Sequence, residues 1–175
     1  IPVEGVDYKA HMKEKFGSDS GRDRANTMRD ALIQYGQEEG IPYQFDRITR
    51  RPNSFNAHRL VRWAQGQQKG AEAKEALFKA YFSDGRDIGE TEVLVDIARE
   101  INLDPSIVAE LMPTDADVEN VRNEEALFQQ MGISGVPTYI AHRRIAVQGA
   151  ETAEKLAKFL QHAATQLPEE RPAQG

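Results

Sequence analysis

Apolar residues recur every three to four positions through most of this chain, the period of helices that bury one face. Tyr8, Met12 and Phe16 predict a short helix over residues 7–16, set in an irregular lead-in across residues 1–20. Met28, Leu32 and Tyr35 predict a second helix over residues 23–37 with those three on one face, and Gly36 weakens its end. Gly40-Ile41-Pro42 closes that segment. The alternation in Tyr43-Gln44-Phe45-Asp46 reads as a short edge strand or an extended linker. Asn53 or Ser54 is placed to cap a helix through residue 65, with Phe55, Leu60 and Trp63 as core residues. Past Gly70, the residues Leu77, Phe78, Tyr81 and Phe82 form a paired apolar stripe that reads as core. Asp87 and Glu90 stand three apart ahead of Val93, Leu94, Ile97 and Ala98, an aspartate variant of the capping box opening a helix to residue 101. Asp104-Pro105 puts a cap before a proline at the first helical position. Ile107, Val108 and Leu111 bury that helix and Pro113 stops it. Thr114 and Asp117 are a further cap pair, for a helix to residue 131 carrying Val118, Val121, Phe128 and Met131.

The pattern changes after Gly132. In Ile133-Ser134-Gly135-Val136-Pro137-Thr138-Tyr139-Ile140 a Gly-Val-Pro-Thr turn runs straight into an apolar strand. Proline cannot donate to a sheet ladder and belongs at an edge or at the first residue of a strand. A cis Val136–Pro137 bond would make the loop a kink that presents the Val136 backbone outward. Residues 138–141 read as one strand, His142-Arg143-Arg144 as a basic turn, and residues 145–147 as a second strand broken by Gly149. Residues 150–164 are helical, with Leu156, Phe159, Leu160 and Ala163 on one side. The layout is a block of helices over residues 23–132 followed by ββα. A lone hairpin is marginal in water, and Ile140 and Val147 would leave an open edge. The helical block can cover a face but supplies no strands. The sheet is therefore expected to take partners from another copy of the chain or from a segment upstream of Ile1.

Composition narrows the function. At 175 residues the chain holds one domain with an insertion, or two small ones. Apolar residues make up 39% and charged residues 29%, with no apolar run long enough for a membrane span and no signal-peptide pattern. The net charge of −6, without a basic stripe interleaved with aromatics, argues against nucleic-acid binding. There are no cysteines, which excludes disulfides, zinc–thiolate sites and a thiol nucleophile within these residues. His11, His58, His142 and His162 are scattered without a His-x-x-x-His pair, so no metal site is expected. Asp84-Gly85-Arg86-Asp87 lacks the spacing of a calcium loop, and no glycine-rich phosphate loop occurs.

Several pieces in fixed order carry a resemblance. They are Gly5-Val6-Asp7-Tyr8, Lys15-Phe16-Gly17, Arg51-Pro52-Asn53-Ser54-Phe55-Asn56-Ala57-His58-Arg59-Leu60, Ala76-Leu77-Phe78-Lys79-Ala80-Tyr81-Phe82, the Gly-Val-Pro-Thr hairpin and the closing Val-Gln-Gly-Ala with its helix. Together they resemble the DsbA-like family of thioredoxin folds, and within it the FrnE-type proteins. The resemblance implies an α/β, mostly α protein: a thioredoxin-like fold with a large helical insertion, of which this chain carries the C-terminal ββα half. Residues 1–22 would be a lead-in, 23–132 the helical insertion, 133–167 the ββα unit and 168–175 a tail.

The family's chemistry implies thiol–disulfide exchange by an oxidoreductase or isomerase, through a mixed disulfide. Its Cys-x-x-Cys pair would lie upstream of residue 1, so this cysteine-free chain is itself expected to be inactive. Val136, Pro137 and Thr138 would contact substrate and shape the active site, with protein or small-thiol substrates and no cofactor. A second reading is a glutathione-dependent isomerase or transferase, similar to hydroxychromene carboxylate isomerase and kappa-type transferases, with glutathione as its cofactor. A third is a non-catalytic binding module or fragment. FrnE-type relatives imply a cytoplasmic protein, and a homodimer or an upstream segment would complete the sheet.

Overall fold

A computed structural model describes residues 1–142 and 144–166. The predicted tail from Leu167 onward, and Arg143 of the predicted basic turn, lie outside the described residues. The chain divides into two compact units, Ile1–Val121 and Arg122–Gly175.

The first unit opens with strand β1 (Val6–Asp7) and helix α1 (Tyr8–Lys15). Asp7 caps α1 by accepting from the Ala10 N–H at 2.7 Å. Helix α2 runs Asp19–Glu39, longer at both ends than its apolar spacing predicts, from a Ser18 cap to a left-handed Gly40. The apolar face is not the buried one. Met28, Leu32 and Tyr35 are exposed and Gly36 is the buried residue. A Cβ at Gly36 would come within 2.5 Å of the Tyr43 ring and of the Ile41 carbonyl oxygen. The contact exists because a side chain is missing, which apolar periodicity cannot register.

Tyr43 to Asp46 forms no strand. Phe45–Arg47 is a 3-10 turn, and the Tyr43 and Phe45 rings stack at 5.3 Å with Phe82 edge-on to both. The helical block does contain a strand: β2 (Arg50–Arg51) pairs antiparallel with β1, Val6 opposite Arg51 and Asp7 opposite Arg50. Asn53 starts helix α3 (Phe55–Gly66) by accepting from the Phe55 N–H at 2.9 Å. Leu60 is buried there, while Phe55 and Trp63 are half-buried.

Helix α4 (Gly70–Phe78) passes into a π-helical turn at Lys79–Ser83. The predicted stripe splits: Leu77 is buried and its neighbour Phe78 exposed on α4, while Tyr81 and Phe82, in the wider turn, are half-buried. The predicted capping box is also absent. Helix α5 (Thr91–Glu100) is capped at Glu90 without a side-chain bond. The Asp87 carboxylate instead accepts from the Gly89 N–H at 2.9 Å and faces Arg50 Nε at 3.3 Å. Helix α6 (Pro105–Leu111) begins as predicted, with Asp104 accepting from the Ser106 and Ile107 N–H groups and proline in the first turn. Val108 is buried, but Ile107 faces out. The core of this unit gathers Leu60, Ala64, Ala73, Leu77, Leu94, Ile97 and Val108 from α3, α4, α5 and α6, with Leu103 before α6 and Met112 just after it.

Helix α7 (Val118–Gln130) leads into the second unit, with Val121 buried but Phe128 and Met131 exposed. Strands β3 (Thr138–Ala141) and β4 (Ile145–Gln148) form an antiparallel hairpin, and helix α8 (Ala153–Thr165) follows from a Thr152 cap. Within the described residues of this unit, Ala163 is the buried apolar side chain; Leu160, on the same apolar side of the helix, is exposed. The whole is an α/β, mostly α architecture, as the sequence leads one to expect.

Candidate functional site

The loop that delivers the chain to β3 carries Val136, Pro137 and Thr138. The hairpin fixes it from both sides. Thr138 stands opposite Gln148, and the Gly149 N–H donates to the Pro137 carbonyl at 2.8 Å. Gly149 holds φ at +97°, a backbone that L side chains rarely adopt, so the glycine after β4 makes this bond possible. The Thr138 hydroxyl donates to the Gly135 carbonyl at 2.7 Å and braces the turn before the proline. The Val136–Pro137 peptide is cis.

Val136 itself is 89% exposed. Among the described residues neither its N–H nor its carbonyl enters a hydrogen bond within the chain. A neighbouring proline N–H does not exist to compete for a ligand's carbonyl. Val136 lies in the bend that precedes β3, at the end of the hairpin, with its backbone N–H and carbonyl free. Gly149 and Gln148, whose side-chain amide reaches the Gly132 carbonyl at 3.4 Å, support the loop from β4. The Val-Gln-Gly-Ala string signals both in the sequence, although the bonds they make are not legible there.

The three predicted site residues are thus adjacent and held by one hairpin. The remaining candidates play other parts. His58 is exposed on α3 and its neighbour Arg59 is 2% exposed. The Arg59 guanidinium donates to the carbonyls of Leu111, Met112, Thr114 and Ala116 and to Asn56 Oδ1, at 2.8–3.0 Å. It gathers carbonyls at the end of α6 and in the loop to α7, of which Leu111 also accepts from Thr114. Burial pulls its pKa down, against the pull of Asp117 and Asp115. Its face lies over Trp63 at 5.1 Å. This role as a clamp is absent from the sequence signal, which marks Arg59 only as a charge on an apolar helix.

A shallow groove of about 530 Å³ is lined by Arg62, Trp63, Gln65, Gly66 and Asp117. Its carboxylate is already occupied: Asn120, Arg62 and Trp63 donate to Asp117 at 2.8–2.9 Å and hold its pKa below the usual carboxylate value. Burial pushes the Tyr81 phenol up to about 12, with Tyr8 acting in the same direction. His11 Nε2 accepts from Arg51 at 3.0 Å, and His142 Nε2 donates to the Ala163 carbonyl at 3.0 Å. Among the described residues no three His, Asp or Glu side chains converge as metal ligands. Nor is any described helix long and apolar enough to cross a membrane.

Three comparisons bear on this arrangement. The probable DsbA oxidoreductase from Streptomyces coelicolor, known from a crystal structure, superposes with a TM-score of 0.82 at 25% identity, covering 94% of this chain and 70% of that one. The uncharacterized protein YwbO of Bacillus subtilis (strain 168) is 26% identical over 103 residues, 58% of this chain and 51% of the relative. The chain therefore matches about half the length of that curated relative. The model of the DSBA-like thioredoxin domain matches residues 5–161, a span that takes in both the helical block and the hairpin with its Val136–Pro137 loop. This chain belongs to the DSBA-like thioredoxin domain family.

Proposed function

We propose that this chain is the substrate-docking and covering part of a FrnE-type thiol–disulfide oxidoreductase. Its cysteine pair would come from a part of the protein outside these 175 residues, since none of them is cysteine. The exchange runs in two steps. One thiolate attacks a substrate disulfide sulfur, forming a mixed disulfide and releasing the other substrate sulfur as a thiolate. The second thiolate then attacks the mixed disulfide and frees the remaining substrate sulfur. Two electrons move from the enzyme dithiol to the substrate, and the reverse direction oxidises a substrate dithiol.

One observation carries this reading: a family match over residues 5–161 with the exposed, unbonded Val136 backbone standing before Pro137 at the rim of the hairpin. Val136 would pair with the backbone of an extended substrate flanking its cysteine. Pro137 would keep that contact uncrowded, and Thr138 would hold the turn through its bond to Gly135. The substrates proposed are protein disulfides or small thiols, and the compartment proposed is the cytoplasm.

Insulin reduction in the presence of a small dithiol tests the proposal. The full gene product is expected to accelerate it, and thiol alkylation to abolish the gain. Pro137→Ala is expected to lower kcat/KM about tenfold or more, the size of effect that a misplaced substrate produces. The isolated 175-residue chain is expected to stay at the uncatalysed rate. Catalysis by that chain, or catalysis by the gene product that survives alkylation, overturns the reading.

A further inference from the structure

Helix α2 is 21 residues long, yet it buries only Gly36. Half-buried Ala25, Arg29 and Ile33 join Gly36 on its inner side, where Arg29 reaches Asp46 at 2.9 Å and lies over the Phe45 ring. Just over a quarter turn away runs a second stripe: Arg24, Met28, Ala31, Leu32, Tyr35 and Glu39. At ~100° per residue all six lie within about 50° of one line along the helix. Met28 is 57% exposed, Leu32 44% and Tyr35 64%, so three large apolar side chains stand in solvent along one ridge.

The order of this stripe is self-complementary. Positions 24 and 39, 28 and 35, and 31 and 32 are each symmetric about the midpoint between Ala31 and Leu32. Turned end for end, the stripe sets Arg24 against Glu39, Met28 against Tyr35 and Leu32 against Ala31. The two end positions carry opposite charges and the positions between carry none. Arg24 and Glu39 make no ion pair among the described residues, whereas Arg22 and Arg29 on the same helix are paired with Asp19 and Asp46. A two-fold interface requires this property, because each patch must complement itself.

We infer that the outer stripe of α2 is the interface of a homodimer, in which two α2 helices pack antiparallel about a two-fold axis between Ala31 and Leu32. Small Ala31 opposite Leu32 allows the axes to approach to the usual ~8–10 Å. Met28 and Tyr35 of each chain flank the axis, and the Arg24–Glu39 pair closes each end. A single helix pair lies at the low end of specific interface sizes, so the dimer is expected to dissociate in the micromolar range.

Sedimentation velocity on the 175-residue chain from low to high micromolar concentration tests this. The expected result is a monomer–dimer equilibrium. Leu32→Arg should abolish it, with helix content by circular dichroism unchanged because the position is exposed. Arg24→Glu and Glu39→Arg should each weaken the dimer about tenfold by setting like charges together. The double swap should restore it, since each introduced charge then meets the other across the axis. A chain that stays monomeric throughout overturns the inference. So does a dimer indifferent to Leu32→Arg, or a double swap no tighter than the single ones.

Discussion

Leu60, Leu94 and Ile97 in the first unit and Tyr139, Ile140 and Leu160 in the second are residues of the same chemistry with opposite fates. The first three are buried among α3, α4, α5 and α6, and the second three are exposed on a hairpin and its following helix. The first unit closes its core with its own helices and satisfies the backbone at their ends with Arg59. The second presents a bare two-stranded sheet, an apolar surface and a loop whose Val136 backbone is unbonded. Uncovered strands and apolar patches are liabilities unless something docks there. The difference separates a unit with a closed helical core from one in which Ala163 is the buried apolar side chain among the described residues.

That contrast can be broken most sharply at Arg59. Arg59→Ala would strand the Met112, Thr114 and Ala116 carbonyls and open a void beside Trp63, and should lower stability by about 4 kcal/mol in urea unfolding, given roughly 1–3 kcal/mol for each buried group left unpaired. Leu94→Ala, which empties a fully buried site, should cost about 3 kcal/mol by the same measurement. If either change is neutral, the first unit is not self-sufficient in the way described.

Tyr81 sharpens the comparison through pH. Its folded pKa of about 12 lies above the ordinary phenol value of ~10. The neutral form is therefore favoured in the folded state. The stability it contributes is fully present below pH ~10 and is lost as pH rises from there through about 12. Tyr81→Phe should flatten the alkaline limb of the stability–pH curve between those limits while leaving neutral pH little changed. The smallest effect belongs to the second unit. Ile140→Ala, at an exposed strand position, should change stability by about 0.5 kcal/mol or less. A large loss there would mean that the hairpin face is covered within this chain.

Much of the architecture is written in local chemistry. Asp104-Pro105 dictates the start of α6, Asn53 the start of α3, and the Val136–Pro137 step the start of β3, because each acts within three residues of itself. The misreadings have a common cause in contacts between distant segments. The β1–β2 ladder has two residues in each strand and no period to detect, and is made by pairing Val6 with Arg51. Asp87 looks like a cap but turns to Gly89 and Arg50. Met28, Leu32 and Tyr35 have the right spacing for a core stripe, yet the helix packs through Gly36 instead. At the candidate site the turn through Val136 and Pro137 into β3 is legible in the sequence and the restraints on it are not. Those restraints come from Gly149 and Gln148 across the hairpin.

The most direct test of the proposed role is the hydrogen-exchange rate of the Val136 amide in the full gene product, free and disulfide-linked to a short cysteine peptide. An amide with no partner in the free chain should exchange fast, and pairing with the peptide backbone should slow it about tenfold or more. Over the same comparison the amide of Val121, whose N–H already bonds the Asp117 carbonyl at 3.0 Å, should not change. A Val136 amide that exchanges equally fast in both states would contradict the assignment of this loop to substrate.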